Sequence, residues 1–358
     1  MTPRAFTLTV SGVLLSLLVA VAFLVPVPYV TESPGLTADI LGNDISADGE
    51  ETDTPVITIG GDVKTYDPRG QLRLTTVSVT NPDGRVTLLQ ALEAWFDEDD
   101  ALLPRDVVYP PGQTAEQARD ETAVAMSGSQ ETSEVAAARA AGYEVASLAE
   151  VATVVPGGPA EGELQPEDEI LAVDGTQVDS SSELVDAVRA ADPGDALELA
   201  VRSDDDRRVV EVVTAEEDGR TTIGISVATT YTMPFDVTFN LERNIGGPSA
   251  GTIFALAIYD KLTKGDLTGG RVIAGTGEVD YDGTVGAIGG IQQKIVSATN
   301  DGATIFLAPA DNCADAVQAP VDSDDIQLVR IDSLDGAIAA LQALAEDPDA
   351  DVPTCEAP

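Results

Sequence analysis

The chain has 358 residues, 43% of them hydrophobic, which is long for one ordinary domain and supplies apolar mass for more than one core. Acidic residues outnumber basic ones 62 to 19, for a net charge of −43, so the soluble surface repels nucleic-acid phosphate and nucleic acid is excluded as a partner. There is no histidine and there are only two cysteines, which excludes Ser-His-Asp and Cys-His catalysis and the usual zinc sites; neither a metal nor a cofactor is expected. The nitrogen bases available reduce to four lysines, Lys64, Lys261, Lys264 and Lys294.

Residues 6–25, FTLTVSGVLLSLLVAVAFLV, carry no charge over twenty positions. Twenty helical residues span about 30 Å, the hydrocarbon thickness of a bilayer. Arg4 precedes the run and Glu32 is the first charge after it, so the N-terminus is expected inside and the rest of the chain outside, with Tyr29 at the outer interface. The expectation for residues 1–30 is a single-pass membrane anchor. Its rival is a cleaved signal peptide, because AVA at 20–22 fits a cleavage site. Either reading puts the remainder in an oxidising compartment, where Cys313 and Cys355 are candidates for a disulfide tying down the C-terminal tail.

Residues 31–142 read as an extracytoplasmic α/β region. PVITIG and LRLTTVSV look like strands, TLLQALEAWF like an amphipathic helix, and residues 116–142 like an Ala- and Glu-rich helix ending at Gly142. Trp95 reads as a core or packing residue. Nothing in this region translates into chemistry.

From 143 to 222 the pattern changes to short strands and turns. DEILAVDGTQV and ALELAVRS read as strands around a Ser-capped helix, SSSELVDAVRAA. Gly158, Pro159, Ala160, Leu164, Asp168, Ile170, Leu171, Val173 and Gly175, followed by that helix, resemble a PDZ domain of the bacterial protease-associated type. The resemblance implies a small barrel-like β domain with helices that binds an extended peptide at a sheet edge.

From 223 to 345 strands and helices alternate, and residues 346–358 read as an exposed tail. The stretch NIGGPSAGTIFALA, 244–257, presents Ser249 where an apolar helix begins, either as a helix cap or as a nucleophile. In RVIAGTGEVDYDGTVGAIGGIQQKIVSATNDGATIFLAP, 271–309, Gly289 and Gly290 open a helix whose apolar stripe is Ile291, Ile295 and Ala298. Lys294 lies beside that stripe, either as a solvated surface lysine or, if burial lowers its pKa, as a general base.

Together, GPSAG at 247–251 and TGEV followed by IGGI and Lys294 resemble the proteolytic domain of the Lon family of serine proteases, with serine and lysine 45 positions apart. The resemblance implies an α+β chain: transmembrane helix, PDZ domain, and a C-terminal Lon-type α/β proteolytic domain. It implies Ser249 as nucleophile, Lys294 as general base and Thr276 as the residue supporting the lysine. The backbone N–H groups of Gly247 and Ala250 are oxyanion candidates. It further implies cleavage of protein or peptide substrates, and a hexameric ring as candidate homo-oligomer. No Gly-x-x-x-x-Gly-Lys-Ser/Thr occurs, so this chain brings no ATPase of that type and unfolded or flexible substrates are expected. The competing reading is an inactive PDZ/Lon-like adaptor that delivers clients to another protease.

Overall fold

The computed structural model describes residues 3–45, 51–203, 206–241 and 245–356. We number the longer helices and the strands of the two main sheets in chain order. The helices are α1 (Pro3–Leu24), α2 (Leu88–Phe96), α3 (Ala115–Ala140), α4 (Ser181–Ala190), α5 (Gly251–Leu262), α6 (Ile291–Asn300) and α7 (Leu334–Glu346). The strands are β1 (Tyr29–Asp39), β2 (Gln71–Val79), β3 (Ala101–Pro104), β4 (Ala146–Val154), β5 (Glu169–Val173), β6 (Ala196–Ser203), β7 (Asp206–Val213), β8 (Ile225–Thr232), β9 (Val272–Gly275), β10 (Ile305–Pro309) and β11 (Gln327–Ile331). They fall into two compact units, Met1–Gly142 with Phe235–Pro358, and Tyr143–Pro234.

The first unit is built on a six-stranded sheet in the order β11-β10-β9-β2-β1-β3. β2, β9, β10 and β11 run parallel, while β1 is antiparallel to β2 and β3. Residues 31–142, set apart from 223–345 by sequence pattern, therefore share one sheet with them. The reason is that β9 finds its neighbour in β2, pairing Ile273 with Leu72 and Gly275 with Leu74. All of these apart from Gly275 are fully buried hydrophobics. α5 is buried almost all round, from Gly251 to Ile258, which explains its uninterrupted apolar sequence.

α1 contains one segment, Phe6–Leu24, long and apolar enough to cross a membrane, and none of it is buried against protein. α2 starts at a capping box, in which Thr87 accepts from the Gln90 N–H and the Gln90 side chain accepts from Thr87. α2 buries only its alanines, Ala91 and Ala94. Trp95, expected in a core, is instead 71% exposed, because this helix meets the protein through its small-residue side. The C-terminal tail is also not free. Cys313 and Cys355 form a disulfide, the Cys355 N–H donates to the Leu328 carbonyl, the Arg330 N–H donates to Pro353, and Val352 is buried.

The second unit is an antiparallel sheet in the order β7-β6-β5-β4-β8, with α4 packed on it. Ala160, Leu164, Ile170 and Val173, all read from the sequence pattern, are in its core with Leu184 and Val188 of α4. Asp168 is fully buried; its carboxylate accepts from the Gln165 N–H and the Ser203 hydroxyl and pairs with Arg208 at 2.6 Å, so this is a structural charge. Ser180 caps α4. The unit extends beyond residue 222, because β8 pairs with β4 from Ile225↔Val154 to Thr232↔Ala146 and closes the sheet on one side.

Candidate active site and its relatives

The site in the first unit is assembled from five elements. Ser249 sits one residue before Ala250, which caps α5. Thr276 follows β9 directly, at the carboxyl end of a strand inside the parallel part of the sheet, where open α/β sheets place their ligand crevices. Lys294 is the fourth residue of α6 and is 2% exposed. Ser249 and Lys294 line one cleft of about 490 Å³ together with Ala250, Met126 of α3 and residues 34–36 of β1.

Two glycines make this assembly possible. Gly290, with φ +66°, opens α6 in the left-handed region, and a Cβ there would come within 2.5 Å of Val77 on β2. Gly277, with φ +146°, lies so close to α5 that a Cβ would meet the Thr252 hydroxyl at 2.5 Å. That close approach lets the Gly277 N–H donate to the Ser249 carbonyl at 2.9 Å, and the Thr252 N–H donate to the Gly277 carbonyl at 3.0 Å. The serine turn is thereby tied to the residues after β9.

Thr276 is fully buried and links the two key side chains. Its hydroxyl donates to the Ser249 carbonyl at 2.9 Å and accepts from Lys294 Nζ at 3.1 Å. A hydroxyl has one proton. With that proton given to the carbonyl, only its lone pairs face the amine, so a neutral lysine spends an N–H on Thr276 and keeps its lone pair for another group. No direct Ser249–Lys294 hydrogen bond is formed among the described residues. Burial drives the Lys294 pKa down to about 8, against the opposing pull of Glu32 and Glu278. Lys294 is not a solvated surface lysine, and the apolar stripe beside it is the cause: Ile291, Ile295 and Ala298 are all buried.

The peptide planes on either side of Ser249 are held from their carbonyl sides. Ser129 of α3 donates to the Pro248 carbonyl at 2.9 Å, and the Thr276 hydroxyl and the Gly277 N–H each donate to the Ser249 carbonyl at 2.9 Å, while Ser133 holds the next turn through the Gly251 carbonyl at 2.9 Å. A trans peptide puts its N–H opposite its C=O. The Ser249 and Ala250 N–H groups therefore face away from these donors, and neither has an acceptor among the described residues. Of the two oxyanion candidates, Ala250 is thus open, whereas the Gly247 N–H donates to the Thr122 carbonyl at 3.2 Å. Asn244, at the head of the glycine-rich stretch, lies outside the described residues.

Sequence reading missed Glu32, Ser129 and Ser133. Each is ordinary in its own segment and gains meaning only through contacts more than 100 positions away in the chain, as with Ser129 and Pro248, separated by 119.

A second cavity of about 310 Å³ lies in the Tyr143–Pro234 unit, lined by Leu184, Val188 and Arg189 of α4 and by Ile225 and Val227 of β8. β8 is the last strand of its sheet, so one edge of it has no strand partner.

Residues 244–343 match the family "Lon protease (S16) C-terminal proteolytic domain", and residues 118–214 match the PDZ domain family. The PDZ match begins inside α3, which folds with the first unit, and stops before β8. The Lon protease of Clostridioides difficile is 37% identical over 90 residues, covering 25% of this chain and 11% of the relative. That of Methylocella silvestris is 36% identical over 99 residues, covering 26% and 12%. The chain thus spans only about a tenth of the length of the curated relatives it matches. Among solved structures, the PDZ domain of the SdrC-like protein from Listeria monocytogenes is 25% identical, covering 22% of this chain and 85% of that one, with a TM-score of 0.21. The chain carries a Lon-type proteolytic domain and a PDZ domain.

Proposed function

We propose that this chain is a serine endopeptidase of Lon type, held at a membrane by α1 with its catalytic part on the outer side, cleaving unfolded or flexible protein segments without an ATPase module of its own. The observation that carries the reading is Lys294: an almost fully buried lysine, with a pKa near 8, in the same cleft as a serine at a helix start. Ser249 Oγ attacks the peptide carbonyl while its proton passes to Lys294 Nζ. The oxyanion is held by the Ala250 N–H, aided by the Ser249 N–H and the positive end of α5. Lys294 returns the proton to the departing amine, leaving an acyl-enzyme on Ser249. A water molecule, deprotonated by Lys294, then releases the acyl group. The groove between α4 and β8 accepts an extended peptide segment as an added strand.

The test is digestion of casein by the full chain without ATP, beside Ser249→Ala and Lys294→Ala. Cleavage by the unmodified chain alone is the expected outcome. Equal cleavage by all three would refute the assignment of these residues.

A further inference from the structure

The exposed apolar surface of α2 has no role in the site above. Projected at about 100° per residue, Trp95, Leu88, Leu92, Phe96 and Leu89 fall within an arc of about 120°. All five are exposed, Trp95 to 71% and Phe96 to 80%. Gln90 and the buried Ala94 lie opposite this arc, and Glu93 and the buried Ala91 flank it on its two sides. A soluble helix buries its large apolar residues; α2 buries only alanines and exposes its large apolar side chains.

The position of α2 indicates what covers this face. The Leu88 N–H donates to the Val25 carbonyl at 3.3 Å, one residue past the end of α1, and Pro26–Val27 pairs with Val86–Thr87. α2 therefore starts where the apolar segment Phe6–Leu24 ends, and the two helices pack together. Leu24 and Val25, at the end of α1 next to the start of α2, are themselves exposed. Trp and Phe at such a boundary match the residue types found at the edge of a bilayer.

We propose that α2 lies in the plane of the membrane surface, with Leu88, Leu89, Leu92, Trp95 and Phe96 in the headgroup–acyl boundary, as a second membrane contact beside α1. The inference rests on the reading of α1 as an anchor. Once α1 is inserted, α2 is confined next to the bilayer, so even a nine-residue helix needs little affinity of its own. Attraction is apolar and gains nothing from anionic lipid, since the acidic run Asp97–Asp100 follows the helix. The loop after α2 also reaches the site: Gln293, next to Lys294, donates to the Asp99 carbonyl at 3.2 Å. A seated α2 thus holds the cleft at a set height above the lipid instead of on a loose tether.

Trp95 is the only tryptophan of the chain and reports on itself. The full chain is reconstituted in phosphatidylcholine vesicles, with and without bromine on the acyl chains. Flotation reports α1; Trp95 fluorescence reports α2. The expected result is blue-shifted emission, quenched by lipid bromine and shielded from aqueous iodide. In Leu92→Asp/Phe96→Asp the chain still floats, but the lipid quenching is lost and iodide reaches Trp95. A floating chain whose Trp95 is open to iodide and untouched by bromine overturns the inference and leaves the anchor standing. Blue-shifted emission without bromine quenching overturns it too, assigning the face to a protein partner or a second copy. A chain that fails to float sinks the anchor reading and this inference with it.

Discussion

Thr276→Val separates the two jobs of the Thr276 hydroxyl. The substitution keeps the side chain's shape and removes both the donor to the Ser249 carbonyl and the acceptor for Lys294 Nζ. A hydrogen bond to a charged group contributes about 1.5–3 kcal/mol and one between neutral groups about 0.5–1.5 kcal/mol. Thr276 therefore favours the ammonium over the amine by about 1 kcal/mol, and one pKa unit corresponds to about 1.4 kcal/mol. On the proposed mechanism, kcat/KM of the unmodified protein is expected to rise with pH as Lys294 loses its proton, with a midpoint of about 8. In Thr276→Val that midpoint moves down, by somewhat under about one unit. The high-pH plateau falls at the same time, by about 10- to 100-fold, because the amine is no longer held and the serine turn loses a donor. The Gly277 N–H still holds the Ser249 carbonyl, so folding stability changes by only about 1 kcal/mol. The assay is the pH–rate profile on a fluorogenic unfolded substrate, with a melting curve as control. A lowered plateau with an unmoved or raised midpoint would refute the reasoning.

Ser129→Ala leaves the Pro248 carbonyl without its side-chain donor, so the Ser249 N–H is no longer aimed. We expect kcat to fall about tenfold or more with KM nearly unchanged, and Ser129→Thr to restore much of it; steady-state kinetics checks the split. Glu134 on α3 has its pKa raised to about 7 by burial, then by Glu131 and Asp236. A carboxyl whose folded pKa lies above its unfolded value favours folding below the unfolded value, and that contribution is lost as pH rises through the folded one. Glu134→Gln therefore raises Tm at pH 8, and the gain disappears towards pH 4.5; melting curves across that range decide it. Reduction of the Cys313–Cys355 disulfide frees the tail and lowers stability by about 2–4 kcal/mol, which denaturation with and without reductant measures.

Ser249 and Lys294 stood out locally, by small residues before an apolar helix and a double glycine before a helix, whereas Thr276 was singled out only by the resemblance to the Lon proteolytic domain; the structure places Thr276 between the other two. Ala160, Leu164, Ile170 and Val173 were picked out by the resemblance to a PDZ domain, and all four lie in the core of the second unit. What escaped was non-local. The pairing of β2 with β9 joins positions 201 apart, and no periodicity carries that information. Ser129 and Ser133 read as mere helix residues until α3 lies against the serine turn. Trp95 was misread because an apolar stripe looks the same whether protein or another apolar medium covers it. The tail was read as exposed but tied down by Cys313 and Cys355, a disulfide that the structure forms; its two backbone bonds to β11 leave no composition signal.

The central claim is that Ser249 is a nucleophile whose proton goes to Lys294. The most direct measurement is covalent labelling of the intact chain by a fluorophosphonate, with the modified residue located by peptide mass spectrometry and the rate followed against pH. The account predicts one label per chain, on Ser249, at a rate that rises with pH around 8 and collapses in Lys294→Ala. Labelling at another residue, or equal and pH-independent labelling of Ser249 without Lys294, would contradict it.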